Sequence, residues 1–251
     1  MSRWLPDLLR RPTHTQVVAG LDAQGMAWQC GNEPPSSAGQ ATEVSEFARQ
    51  LVPKARVAVI VTEDVAVHWV QTPPTGVQSL KELRQIAAAR CAHLFGGSPA
   101  GWWVAGDWRA TRGFVCAGLP LERVGPLRRV LTEAGAQTSW HTTWGLLCSA
   151  QAGDFPADGW SAVRSAGRVV VWCCQRGQVV ALDALNLGEQ ADATEANDAV
   201  ARHLRIEAMR DPTLGVGPVH WTDLPAPANA LPYMGASGAL ALAPWLQGAL
   251  R

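Results

Sequence analysis

Thr15-Gln-Val-Val-Ala-Gly-Leu-Asp22-Ala-Gln-Gly25-Met-Ala-Trp28-Gln-Cys30 is a β-rich run, a short polar turn holding an Asp and a Gly, and a second β-rich run. The same grammar returns past the middle as Gly167-Arg-Val-Val-Val-Trp-Cys-Cys174-Gln-Arg-Gly177-Gln-Val-Val-Ala-Leu-Asp183. β-Branched residues suit a pleated, half-buried surface, and a polar-Gly step lets the chain reverse, so each stretch reads as a hairpin. One hairpin opens each half of the chain, which predicts a duplicated, two-lobed architecture.

Between the hairpins strands and helices alternate. A Pro/Ser/Gly-rich stretch, Gly31 to Gln40, reads as a loop, and a helix is expected from about Thr42 to Leu51, ended by Pro53. Arg56 to Thr62 and Val65 to Gln71 read as strands joined at Glu63-Asp64, a further hairpin whose two carboxylates are expected in water. Ser79-x-x-Glu82 is a capping-box pattern, and Leu80, Leu83, Ala87, Cys91 and Leu94 then recur at helical spacing. Strands are expected at Trp102 to Trp108, Gly113 to Leu119 and Gln137 to Thr142, and helices at 121–134 and 144–150. The break Gly153 to Gly159 divides a first lobe, 1–152, with an inserted strand-strand-helix subdomain, from a second lobe, 160–251. In the second lobe a helix near Ala193 to Arg210, a strand at Pro218 to Thr222 and a last helix near Gly238 to Leu250 follow the hairpin. This order predicts an α/β protein with mixed sheets and hairpins.

Composition excludes several functions. Charged residues are 17 % of the 251, against about 25 % in an average domain, and the formal net charge is zero. Nucleic-acid binding rewards a dense basic face, which this chain does not offer. A neutral, weakly charged surface points instead to association with a partner. No window reaches the roughly 20 apolar residues of a membrane-spanning helix, and Met1 to Gln16 has no signal-peptide pattern. The expectation is a soluble, cytoplasmic chain. Six cysteines, none in a Cys-x-x-Cys pair or at a metal-ligand spacing, predict reduced and mostly buried thiols with no metal site. The twelve tryptophans read as packing plus a protein-binding face, with base or sugar stacking as the competing reading. His68, between Val67 and Trp69, reads as a core-edge or surface histidine. Neither a P-loop nor a Gly-x-Gly-x-x-Gly fingerprint occurs.

One family matches this order of elements. Val57-Ala-Val-Ile-Val-Thr62, Ala66-Val-His-Trp-Val-Gln-Thr-Pro73 and the helix Leu80 to Phe95 resemble the strand, strand, Pro and long-helix run of the PilM and GspL group, proteins of type IV pilus and type II secretion assembly. Phe114-Val-Cys-Ala-Gly-Leu-Pro120 leading into the helix 121–134 is similar, and Tyr233-Met-Gly-Ala-Ser-Gly-Ala-Leu240 resembles that group's closing Gly/Ala segment. The resemblance implies a two-lobed actin-like ATPase (ribonuclease H-like) fold. It also implies that Asp22 and Gly25 in the first turn, with Gly235 and Gly238 near the end, are what remains of a nucleotide-binding site.

In that fold an acid and a Gly-Ser/Thr turn in each lobe hold the phosphates of Mg-ATP. Here the first turn keeps an acid and a glycine without a hydroxyl, and Val171 to Gly177, read as the second turn, has no acid before it. The resemblance therefore implies a scaffold without ATP hydrolysis and with no cofactor expected, ATP and magnesium remaining open. Its partners would be the cytoplasmic tail of an inner-membrane pilus or secretion protein and the assembly motor, with indirect association to the inner membrane. Secretion-type members continue into a membrane span, and a chain stopping at Arg251 favours the pilus-type role. An active ATPase or small-molecule kinase of the same fold is the alternative.

Overall fold

The computed structural model describes residues 16–22, 25–30, 39–41, 44–108, 112–150, 156–165, 167–188 and 191–222. In chain order its elements are β1 (Gln16–Leu21), β2 (Met26–Cys30), β3 (Gly39–Ala41), α1 (Val44–Gln50), β4 (Arg56–Val61), β5 (Val67–Gln71), α2 (Leu80–Phe95), β6 (Trp102–Gly106), β7 (Phe114–Pro120), α3 (Leu121–Glu133), β8 (Gln137–Thr142), α4 (Thr143–Ala150), β9 (Gly159–Ser165), β10 (Arg168–Gln175), β11 (Gln178–Asn186), α5 (Ala193–Arg210) and β12 (Val219–Thr222). They fall into two compact units. Among the described residues, the first gathers those up to Ala66 and from Glu122 to 150; the second gathers Val67–Leu121 and those from 156 to 222.

The first unit is built on a five-stranded sheet in the order β3-β2-β1-β4-β8. β1 runs antiparallel to β2 and parallel to β4, and β4 runs parallel to β8. β4 is therefore covered on both edges, which explains its continuous apolar sequence: Val57, Val59, Ile60 and Val61 are all buried. Trp28 of β2 is wholly buried, with its ring edge-on to Phe47 of α1 at 5.5 Å.

The hairpin expected between Arg56 and Gln71 does not form. β4 pairs with β1 and β8, whereas β5 pairs with β7 in a different sheet. Glu63-Asp64 lacks the glycine that the favoured two-residue hairpin turns carry. Instead Val65 and Ala66 N–H donate to Thr62 O, and the chain turns out of the sheet.

The second unit holds two sheets. One is β5-β7-β6, antiparallel throughout. α2 lies on it, burying Leu83, Ala87 and Cys91 against Trp69, Phe114 and Cys116. Ser79 Oγ accepts from Glu82 N–H at 3.1 Å while Glu82 Oε2 accepts from Gln78 N–H at 3.0 Å, so the capping pattern does cap the helix. The ends of its apolar stripe, Leu80 and Leu94, remain exposed. His68 on β5 is buried, and loss of hydration lowers its pKa to about 4. The unfolded chain binds a proton below the ordinary value of 6.5 while the folded chain does not, so stability falls as pH drops through this range. Replacing His68 by Gln should remove a loss of about 1 kcal/mol per pH unit between pH 6 and 5, read from denaturant midpoints at both values.

The other sheet is β11-β10-β9-β12, with β9 antiparallel to β10 and parallel to β12. Its core joins Trp160, Val169, Val171 and Cys173 to Ala196, Val200 and Leu204 of α5. Asp192 caps that helix by accepting from Glu195 N–H at 2.8 Å.

Candidate functional site

The two larger sheets share one plan. In each, a first strand pairs antiparallel with a second, which pairs with a third, and a helix leads to a fourth strand parallel to the first. By this plan β9 corresponds to β1 and β10 to β2. The hairpin at Gly177 joins the second and third strands, so the duplication begins one strand earlier than the sequence pairing suggests. The second-lobe counterpart of the Asp22–Gly25 turn is the link between β9 and β10, and the reading of Val171 to Gly177 as that turn is corrected. Arg176 and Gly177, with φ of 52° and 69°, make a tight hairpin turn. Their N–H groups donate to Asp158 Oδ1 at 2.7 Å and Ala157 O at 2.7 Å, and so are already engaged.

In the first unit the carboxyl ends of the parallel strands β1, β4 and β8 bring Asp22, Thr62 and Thr142 to one edge of the sheet, the usual ligand position of open α/β sheets. Asp22 is buried, and its Oδ1 accepts from Gly25 N–H at 2.7 Å while its own N–H donates to Gly25 O at 3.0 Å. The turn is closed upon itself by the carboxylate that would face a phosphate-bound cation. Thr62 N–H and Oγ1 both donate to Leu21 O at 3.0 Å, tying the ends of β4 and β1 together. Gly235 and Gly238 lie outside the described residues.

Glu63 is the residue the sequence placed wrongly. It is 3 % exposed rather than solvated, and its Oε1 accepts from Trp144 N–H at 2.6 Å in the first turn of α4, where Thr143 also bonds it. Thr142 Oγ1 accepts from Gly145 N–H at 3.1 Å, so the helix start is satisfied from two strands. Burial raises the carboxyl to about 7 despite these donors, and neighbouring Asp64 adds a smaller push in the same direction. The signal in the sequence was the apolar run Val57–Val61 with no Gly, Pro or Asn after it, which fits a buried parallel strand better than a hairpin arm.

In the second unit Ser165 ends β9 as Leu21 ends β1, and the residue that follows it in the sequence, where Asp22 follows β1, is an alanine and supplies no carboxylate. Arg164 donates to Ala191 O. An open pocket of about 660 Å³ does exist in this unit, lined by Asp158, Cys173, Cys174, Arg176, Gln178 and Thr213 among others. It lies at the amino end of β9, the end of the sheet opposite the link between β9 and β10. Its thiols are poor nucleophiles: burial raises Cys173 to about 11 and shifts Cys174 upward as well. Among the described residues no group of His, Cys, Asp or Glu side chains has the arrangement of a metal site, and no helix is long and apolar enough to cross a membrane.

No family model and no curated protein matches the chain. Solved structures do. A protein of actin-like ATPase fold and unknown function from Bacteroides thetaiotaomicron superposes with a TM-score of 0.50 at 11 % identity, over 96 % of this chain and 98 % of that one. The cytoplasmic domain of EpsL, an inner-membrane component of the type II secretion system of Vibrio cholerae, gives 0.48 at 11 % identity over 94 % of both chains. The PilM–PilN type IV pilus biogenesis complex gives 0.49 at 14 % identity, over 93 % of this chain and 85 % of that one.

The shared sheet plan and the first of these likenesses define the class: the chain has the actin-like ATPase fold, a mixed α/β architecture in which one ribonuclease H-like sheet is used twice.

Proposed function

We propose that the chain is a scaffold of a type IV pilus or type II secretion inner-membrane assembly platform, which binds the cytoplasmic segment of a membrane partner and does not hydrolyse ATP. The observation that carries the second half is the engagement of Asp22, whose Oδ1 accepts from Gly25 N–H while its own N–H donates to Gly25 O. The alanine that follows β9 in the sequence, in the place of Asp22, supports it, because it offers no carboxylate to hold magnesium. The assembly role rests on the sequence resemblance over residues 55–150. Its strand, strand, Pro, long-helix order is built as β4, β5, Pro73-Pro74 and α2.

Pull-down with the cytoplasmic tails of pilus and secretion membrane proteins tests the role, and capture of none of them overturns it. Titration calorimetry with Mg-ATP tests the chemistry. The expected result is no binding heat at millimolar nucleotide. Binding that Asp22→Ala abolishes would instead favour the ATPase or kinase reading.

A further inference from the structure

We infer that the outer face of α5 pairs with its own copy, two chains associating through their α5 helices laid antiparallel. α5 covers its sheet with Ala196, Val200 and Leu204, all buried. At 3.6 residues per turn, the opposite side of the helix carries Glu195, Asp198, Arg202, Arg205 and Met209. They follow one another at steps of three and four residues, which keep side chains in one stripe. All five are exposed, Met209 at 76 %.

The stripe holds two acids, then two bases. A helix dipole favours acids in the first turn and bases in the last, and its effect fades within a turn. It accounts for Glu195 and for Arg210, whereas Asp198, Arg202 and Arg205 stand deeper in the helix. Pairing along the helix is the other ordinary use of such charges. Asp198 and Arg202 are four residues apart, yet among the described residues Asp198, Arg202 and Arg205 make no ion pair; the pairs on α5 are Arg210 with Glu207 and His203 with Asp183.

A stripe that is acidic at one end and basic at the other is complementary to itself when reversed. Two copies related by a two-fold axis level with residue 200 bring Glu195 opposite Arg205 of the second copy and Asp198 opposite its Arg202. All four charges of each copy then meet their opposites, and Met209 comes against the start of the second helix. Parallel pairing would set like charges together. Sliding the register by four residues brings Arg202 against Arg202 in one direction and Asp198 against Asp198 in the other. A partner charged with one sign would be repelled by half of the stripe, so the pattern selects a second copy as the occupant. The formal net charge of zero adds no general repulsion between copies. Exposed ion pairs contribute little each, so the dimer is weak and salt-sensitive.

Analytical ultracentrifugation of the full chain in reductant should show a reversible monomer–dimer equilibrium at low salt. Its dissociation constant should rise about tenfold or more between about 0.05 and 0.5 M NaCl. Asp198→Lys sets a cation against Arg202 twice across the axis, and Arg202→Glu sets an anion against Asp198 twice. Each change alone should weaken the dimer about tenfold or more. The chain carrying both should dimerise as the parent does, and an equimolar mixture of the two single variants should form a heterodimer. Rescue by mixing cannot come from repair within one helix, and it shows that both single variants are folded. A chain monomeric at all concentrations, a dimer indifferent to either single change, or single variants that stay apart when mixed overturns the inference. Tail pull-down reads none of these quantities, so failure here is distinguishable from failure of the scaffold reading.

Discussion

Glu63→Gln should make the protein more stable above neutral pH, with little effect near pH 5. The folded carboxyl titrates at about 7 because burial penalises its charge, against an ordinary value of 4.5. Between these values the folded chain holds a proton that the unfolded chain has released, so stability falls as pH rises through the window. Each pH unit of that window costs about 1.4 kcal/mol. The cost of the buried carboxylate therefore reaches about 3 kcal/mol by pH 8 and vanishes below pH 4.5. An amide keeps an oxygen for Trp144 N–H at the start of α4 and never ionises. The stability of the variant relative to the parent, read from denaturant midpoints, should accordingly improve by about 2–3 kcal/mol between pH 5 and pH 8. Parallel stability curves over that range would show that Glu63 is ionised throughout, and that α4 rests on a carboxylate rather than on a carboxylic acid.

Gly118→Val should cost about 3 kcal/mol, at the upper end for overpacking. Gly118 lies in β7, the central strand of the three-stranded sheet, opposite Val67 on β5 and Val104 on β6. A Cβ at this position would sit 2.7 Å from Cys91 Sγ, 3.1 Å from Val67 Cγ2 and 3.2 Å from Trp69 Cζ3. These three neighbours come from α2 and β5, and none can withdraw without opening the core formed by Trp69, Leu83, Ala87, Cys91, Phe114 and Cys116. Adding Cys91→Ala clears the shortest contact, so the double variant should lose less than the sum of the two single losses. Additive losses would mean that the sheet shifts as a whole and that α2 does not set the limit. Cys91 and Cys116 are free thiols in this core, and burial pushes each to about 12, in line with a packing role.

Much of the architecture was legible because local signals agreed with the global fold. The Ser79/Glu82 box, the stripe Leu83–Ala87–Cys91 and the acidic start of α5 lie where their periodicity placed them. What failed to show was pairing. A strand's sequence reports whether its faces are buried and says little about which neighbour it meets. Arg56–Val61 and Val67–Gln71 looked like two arms of one hairpin because they are close in sequence, yet they belong to different sheets. β3 fell at the end of the stretch read as loop, since a three-residue strand of Gly-Gln-Ala has no periodic signature.

The sequence by itself determined that the chain carries a repeated β-hairpin grammar that points to two lobes, few charges and no phosphate-binding fingerprint, and its resemblance to the PilM and GspL group implied the actin-like plan. Only the tertiary structure decided where the repeat begins. β9 and β10, not β10 and β11, correspond to β1 and β2, because register and strand direction are set by long-range hydrogen bonding that no local pattern encodes. That shift moved the second phosphate-type turn from Gly177 to the link between β9 and β10. In the same way the pairing of β4 with β1 and β8, rather than with β5, turned Glu63 from a solvated turn residue into a buried acid supporting the start of α4.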